Sequence, residues 1–179
     1  MKKRMGLIVI ITIIAIIVCS LIWRVWPHTF SDLLPFDKAS VTSFSAYAMV
    51  RHYENEQSYT DTYYRMEDIT QPQNSNPEEI FEILGTSRYQ QDYRNILPGD
   101  VDTVHPDKNF DGNTASLRFF WGDEPDEFVN ISFLSNSIIT VFVGGESGFH
   151  IYHPTNHETI YNLIEYLKTN GTAATTASP

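Results

Sequence analysis

The chain has 179 residues, 12 basic and 22 acidic, for a net charge of −10, and 42% of it is hydrophobic. Such a length suits one membrane anchor plus one domain of ordinary size. The acidic balance repels phosphate backbones and anionic lipid heads, which argues against nucleic-acid binding. Cys19 is the only cysteine, so disulfides and zinc–thiolate sites are excluded from the rest of the chain.

Lys2, Lys3 and Arg4 precede an uncharged, apolar run from Met5 to Trp23. Nineteen residues at ~1.5 Å each reach roughly 28 Å, the thickness of a bilayer core. Three cations before the run and Arg24 after it predict an uncleaved signal anchor, with the N-terminus cytoplasmic and the remainder extracellular. Trp23 and Trp26 suit the outer interface. Val18-Cys19-Ser20 is a poor cleavage site, and Val18 replaces the small residue that precedes a lipidated cysteine. Beyond the run lie all 22 acidic residues and nine basic ones, a net charge of −13. An external domain without disulfides fits a bacterial cell envelope. The expected organisation is residues 1–23 as tip and anchor, 24–38 as a juxtamembrane linker, 39–170 as an extracytoplasmic domain, and 171–179 as a disordered tail.

Residues 40–51 and 59–69 are rich in β-branched and aromatic side chains and read as two strands. Asn76, Pro77 and Glu79 form a helix start, with Ile80, Phe81, Ile83 and Leu84 as its apolar face. Gly85 is expected to break or bend that helix, while Tyr89, Tyr93, Ile96 and Leu97 continue at helical spacing as far as Pro98-Gly99. Four short strands follow at 115–121, 127–134, 138–143 and 149–153, divided by turn-rich segments. Thr155 and Glu158 suggest a capping box for a last helix, with Ile160, Leu163, Ile164 and Leu167 as its buried stripe and Asn170-Gly171 as its stop.

The order β-β-α-β-β-β-β-α implies an α+β domain, with a mostly antiparallel sheet of about six strands and helices on one face. Through this element order and its aliphatic–aromatic strands, the region 40–170 resembles small membrane-anchored or secreted Gram-positive proteins of unknown function with a TATA-binding-protein-like half-fold. The resemblance implies the fold and transfers no catalytic residue.

Candidate chemistry is sparse. Asp107, Asn109, Asp111 and Gly112 follow the first positions of a calcium loop. Arg118 then stands where a bidentate glutamate belongs, so the segment reads mainly as a turn. His105, His153 and His157 with Asp107 form a candidate zinc or copper cluster if the topology gathers them. No G-x-S-x-G elbow, H-E-x-x-H, P-loop or dinucleotide glycine pattern occurs, and the acidic group Asp123, Glu124, Asp126 and Glu127 reads as a solvated hairpin tip. Enzymatic activity is therefore not the leading expectation, and no cofactor is expected.

Strand alternation places Leu117, Phe119, Trp121, Val129, Ile131, Phe133, Ile139, Val141, Val143, Phe149 and Ile151 toward the helices. The opposite face then carries Arg118, Phe120, Phe128, Asn130, Thr140, Phe142, His150 and Tyr152. Aromatics mixed with polar groups on an open face suggest a surface for a protein, peptide or cell-envelope partner. A metal-dependent hydrolase and a calcium-stabilised structural domain are the alternatives.

Overall fold

The computed structural model describes residues 2–55, 58–67, 77–92, 112–135 and 137–177. Its elements in chain order are α1 (Lys2–Val25), β1 (Ser43–Asn55), β2 (Ser58–Glu67), α2 (Pro77–Gly85), β3 (Tyr89–Gln91), β4 (Thr114–Phe120), β5 (Phe128–Ser135), β6 (Ile138–Val143), β7 (His150–Pro154), α3 (Glu158–Asn170) and β8 (Thr172–Ala177). The eight strands form one antiparallel sheet in the order β3-β7-β6-β5-β4-β1-β2-β8. The fold is α+β, with three α-helices among the described residues.

Alternation along the strands builds the core. Phe44, Ala46 and Ala48 of β1, Leu117 and Phe119 of β4, and Val129, Ile131 and Phe133 of β5 are all buried on one face. Ile80, Phe81 and Leu84 of α2 and Ile160, Leu163, Ile164 and Leu167 of α3 close over them. Phe81 stacks on Phe119 at 5.1 Å, which seats α2 on the sheet. The small side chains at 46 and 48 leave room for α3, which packs across β1, β2 and β4.

The segment after α1 joins this core. His28 forms a β-bridge to Tyr89, Phe30 and Leu33 are buried, and Phe36 stacks on Trp121 at 4.7 Å. A short 3₁₀ turn at Phe30–Leu33 is held by a capping box between Thr29 and Asp32, which satisfies its first amides.

Three local expectations are corrected. Helix α2 stops at Gly85, and Tyr89 belongs to a strand instead of continuing the helix. Its ring is fully buried and its hydroxyl donates to the Leu84 carbonyl at 2.7 Å, so tertiary packing outweighs the helical spacing. Thr155 does not cap α3; its hydroxyl accepts from the Arg88 amide, and Asn156 Oδ1 accepts from Glu158 N. The tail from Thr172 is ordered as β8, antiparallel to β2. Neither propensity nor apolar content marks that strand, because its stability comes from an available sheet edge. Asn76, Tyr93, Ile96 and Leu97 lie outside the described residues.

Among the described residues, no helix is long and apolar enough to cross a membrane. Within α1 the side chains described are those of residues 8–22. Its isoleucines are exposed, among them Ile8 at 63% and Ile16 at 63%.

Candidate functional site

The helices cover one face of the sheet and leave side chains from β1, β2, β4, β5, β6 and β8 on the other. Directly paired residues on neighbouring strands share a face, so the register assembles this open surface in rows. One row runs Phe142–Asn130–Arg118–Ser45 across β6, β5, β4 and β1. The next runs Thr140–Ser132–Ser116–Tyr47–Arg65–Thr172, reaching β2 and β8. Beyond the first row, Phe128 pairs with Phe120.

Four expected partner-binding residues therefore meet. Phe128 lies 6.1 Å from Phe120 and 5.9 Å from Phe142 between ring centroids. The Arg118 guanidinium sits 5.2 Å from the Phe128 centroid, within cation–π range. The three rings are half-buried and Arg118 is exposed. A half-covered aromatic cluster capped by one cation can seat an apolar group and hold an anionic one beside it.

His150 and Tyr152 do not join them. The register of β6 with β7 sets Tyr152 opposite Ile139 and His150 opposite Val141. Tyr152 accordingly packs against the helix-side core, and burial raises its hydroxyl pKa, with Glu146 adding to the effect. His150 is exposed and 3.5 Å from Glu146. Ile151, expected on the helix side, pairs instead with Thr140 and is fully buried outside the main core. A shift of one residue in register exchanges the two faces of a strand.

A second part of the open face lies across β1, β2 and β8. Ser45, Ala46, Tyr47, Tyr63, Arg65, Thr172 and Ala174 line a groove of about 390 Å³, within the usual range for small-ligand sites. Tyr47 is 47% exposed. Gly171 permits this arrangement: a Cβ there would stand 2.5 Å from the Leu167 carbonyl oxygen and 3.2 Å from the Arg65 amide nitrogen. The absence of that carbon lets the chain leave α3 against β2 and continue as β8. Alternation in 46–50 and 63–66 contains the signal for Tyr47, Tyr63 and Arg65 facing one way. Nothing in the small, polar tail announces Thr172.

At one end of the face, Arg51 donates to both carboxylate oxygens of Asp61 at 2.9 Å each. Its guanidinium lies 3.9 Å from the Tyr59 centroid, and its backbone amide donates to Asn113 Oδ1. The hydrogen bonds from Arg51 hold Asp61 below its ordinary carboxylate pKa, and Asp61 in turn raises that of Arg51. Gly112, with φ +85°, packs on the Arg51 side chain, a backbone conformation that glycine adopts without strain.

His153 is also committed. Its Nδ1 lies 2.7 Å from the Ser137 carbonyl oxygen and its Nε2 2.8 Å from Asp92 Oδ2. Both ring nitrogens are thus engaged within the protein. His157 is exposed beside the start of α3, and His105, Asp107, Asn109 and Asp111 lie outside the described residues. Among the described residues no group of three or more metal-ligating side chains gathers.

No protein-family model, curated protein or solved structure matches this chain.

Proposed function

We propose that this chain is a membrane-anchored, extracytoplasmic interaction module whose open sheet face receives a protein, peptide or cell-envelope partner. The carrying observation is the cluster of Arg118, Phe120, Phe128 and Phe142, built from three adjacent strands on the face opposite α2 and α3. A soluble surface gains nothing in solubility from three neighbouring phenylalanines, whereas a binding surface uses such rings as anchors. The anchor reading rests on the uncharged run Met5–Trp23 behind three cations, and the exposed isoleucines of α1 need an apolar surrounding.

Two experiments test these parts separately. In cells expressing the full chain, external protease should degrade the domain while the chain remains with the membrane after alkaline extraction. Recovery in the soluble fraction removes the anchor. Photo-crosslinking from position 142 should capture a specific partner that Phe120→Ser abolishes. Partner capture unchanged by both Phe120→Ser and Phe142→Ser removes the aromatic cluster as the binding surface.

A further inference from the structure

Strand β8 ends the sheet on one side, and we infer that it pairs antiparallel with the β8 of a second copy, joining two sheets into one. This inference goes beyond the aromatic-cluster reading and does not depend on it.

The two ends of the sheet are finished differently. Strand β3 is three residues long, and Tyr89 within it exchanges both main-chain hydrogen bonds with His28 at 2.8 Å. That edge is short and already bridged. Strand β8 runs for six residues, and among the described residues β2 is its only hydrogen-bonded neighbour. Its register with β2 is unbroken from Thr172–Arg65 to Ala177–Thr60, so no bulge turns it away. Successive residues of an antiparallel strand direct their N–H and C=O groups to opposite sides. Half of the β8 main chain therefore faces outward.

Edge strands are ordinarily guarded by charge, proline or a bulge. Thr172–Ala177 has none of these, and no charged side chain occurs from Thr169 to Pro179. Helix α3 packs across β1, β2 and β4. Ala173, which pairs with Tyr64 on the covered side of the sheet, is still exposed. The helix layer thus stops short of this edge and leaves room for another strand.

Charge points to a second copy as the occupant. The chain beyond the N-terminal run carries −13, so two such domains repel each other along most approaches. The β8 edge is neutral, and a second β8 meets it with an equally neutral strand. Beside the edge, Tyr161, Glu165 and Lys168 form a stripe on α3. Tyr161 is 60% exposed, and Lys168 lies 2.7 Å from Glu165. Tyr64 and Tyr161 both act on the Lys168 charge, which sets the stripe on the flank of α3 toward β2. A two-fold axis reverses the stripe in the second copy, so that lysine of one copy can oppose glutamate of the other. Each copy has one such edge, and the pairing closes at two. The axis stands perpendicular to the joined sheet, so both aromatic clusters look the same way. Nine strand spacings separate the two β5 strands, roughly 43 Å along the sheet at ~4.8 Å each.

Sedimentation of the purified full chain should show a reversible dimer. Ala173→Lys and Ala174→Lys each set a cation beside one from the other copy and should weaken the dimer at least about tenfold. A circular dichroism spectrum identical to that of the wild type verifies that both variants fold. In a Cys19→Ser background, cysteines placed singly along Thr172–Ala177 should form interchain disulfides at one or two positions, where the axis crosses, and fade to either side. A chain that stays monomeric, a dimer untouched by either lysine, or disulfides equal at all six positions each overturns the pairing. So does a different protein captured at β8 in place of a second copy. Phe142→Ser should leave the dimer intact. Loss of the crosslinked partner with dimerisation preserved overturns the aromatic-cluster reading alone, whereas loss of the dimer with that partner preserved overturns this pairing alone.

Discussion

The helix-bearing face of the sheet and the open face alternate along the same strands, yet they are built differently. On the covered face, Phe44, Leu117, Phe119, Ile131 and Phe133 are at most 1% exposed and touch several elements at once. On the open face, Tyr47 is 47% exposed, and Arg118 and Phe128 meet cross-strand neighbours. Burial of a large apolar side chain stabilises by about 1.5–3 kcal/mol, whereas an exposed cross-strand pair contributes about 0.2–1 kcal/mol. The covered face therefore holds the fold, and the open face can change with little loss of stability. That separation is what the proposed recognition role requires.

Truncation at adjacent positions of β4 gives the sharpest contrast. Phe119→Ala should cost about 3–5 kcal/mol in urea unfolding, because it empties a site between Phe36, Phe44 and Phe81. Phe120→Ala, one residue on, should cost about 1 kcal/mol. Similar losses at both positions would show that the open face is covered after all and collapse the comparison.

Next in size is the His153 tie, which fixes β7 to Asp92 and to the turn before β6. His153→Ala leaves the Asp92 carboxylate, 4% exposed, without its ring donor and should cost about 1–3 kcal/mol. A neutral substitution would show that the tie is incidental to stability.

Gly171→Ala tests how the groove is made. The added Cβ meets the Leu167 carbonyl, so the turn into β8 must shift, at about 1–2 kcal/mol. Amide exchange along Thr172–Ala177 should speed up while that of β4 stays unchanged. Unchanged exchange in β8 would mean that Gly171 does not govern how that strand is seated.

The smallest effect concerns Asp61. Arg51 holds its pKa below the ordinary 3.8, so the folded chain takes up this proton less readily than the unfolded one. The pair's stabilisation is then complete above about pH 4 and is lost as pH falls through the lowered folded value. The gap in unfolding midpoint between wild type and Asp61→Asn should be widest at neutral pH and narrow toward about pH 3. A gap that stays constant over that range contradicts the ion pair's role.

Some of this could be read from the chain alone. The run of residues 115–121 alternates cleanly enough that Leu117 and Phe119 faced the helices while Arg118 and Phe120 faced away, and the pairing of β4 with β5 brought Phe128 into the same cluster. His150 and Tyr152 were misplaced because a five-residue strand carries too little pattern to set its own register, and β6 supplies it. Tyr89 was read as helical because aromatic residues at helical spacing carry the same local signal whether or not the chain turns. The groove was missed since it needs β8, which is invisible to composition.

What the sequence by itself determined was the α+β class, the positions of β1, β2 and β4 to β7, and the faces of the strands with regular alternation. Periodicity and turn chemistry are local properties, and a one-dimensional pattern carries them. Only the tertiary structure decided the register of β7, the partners of His153, the seating of Phe30 and Leu33 in the core, and the capture of Thr172–Ala177 as an edge strand. Each of these depends on a partner distant in sequence, whose hydrogen bonds and packing select one arrangement among several that are locally equivalent.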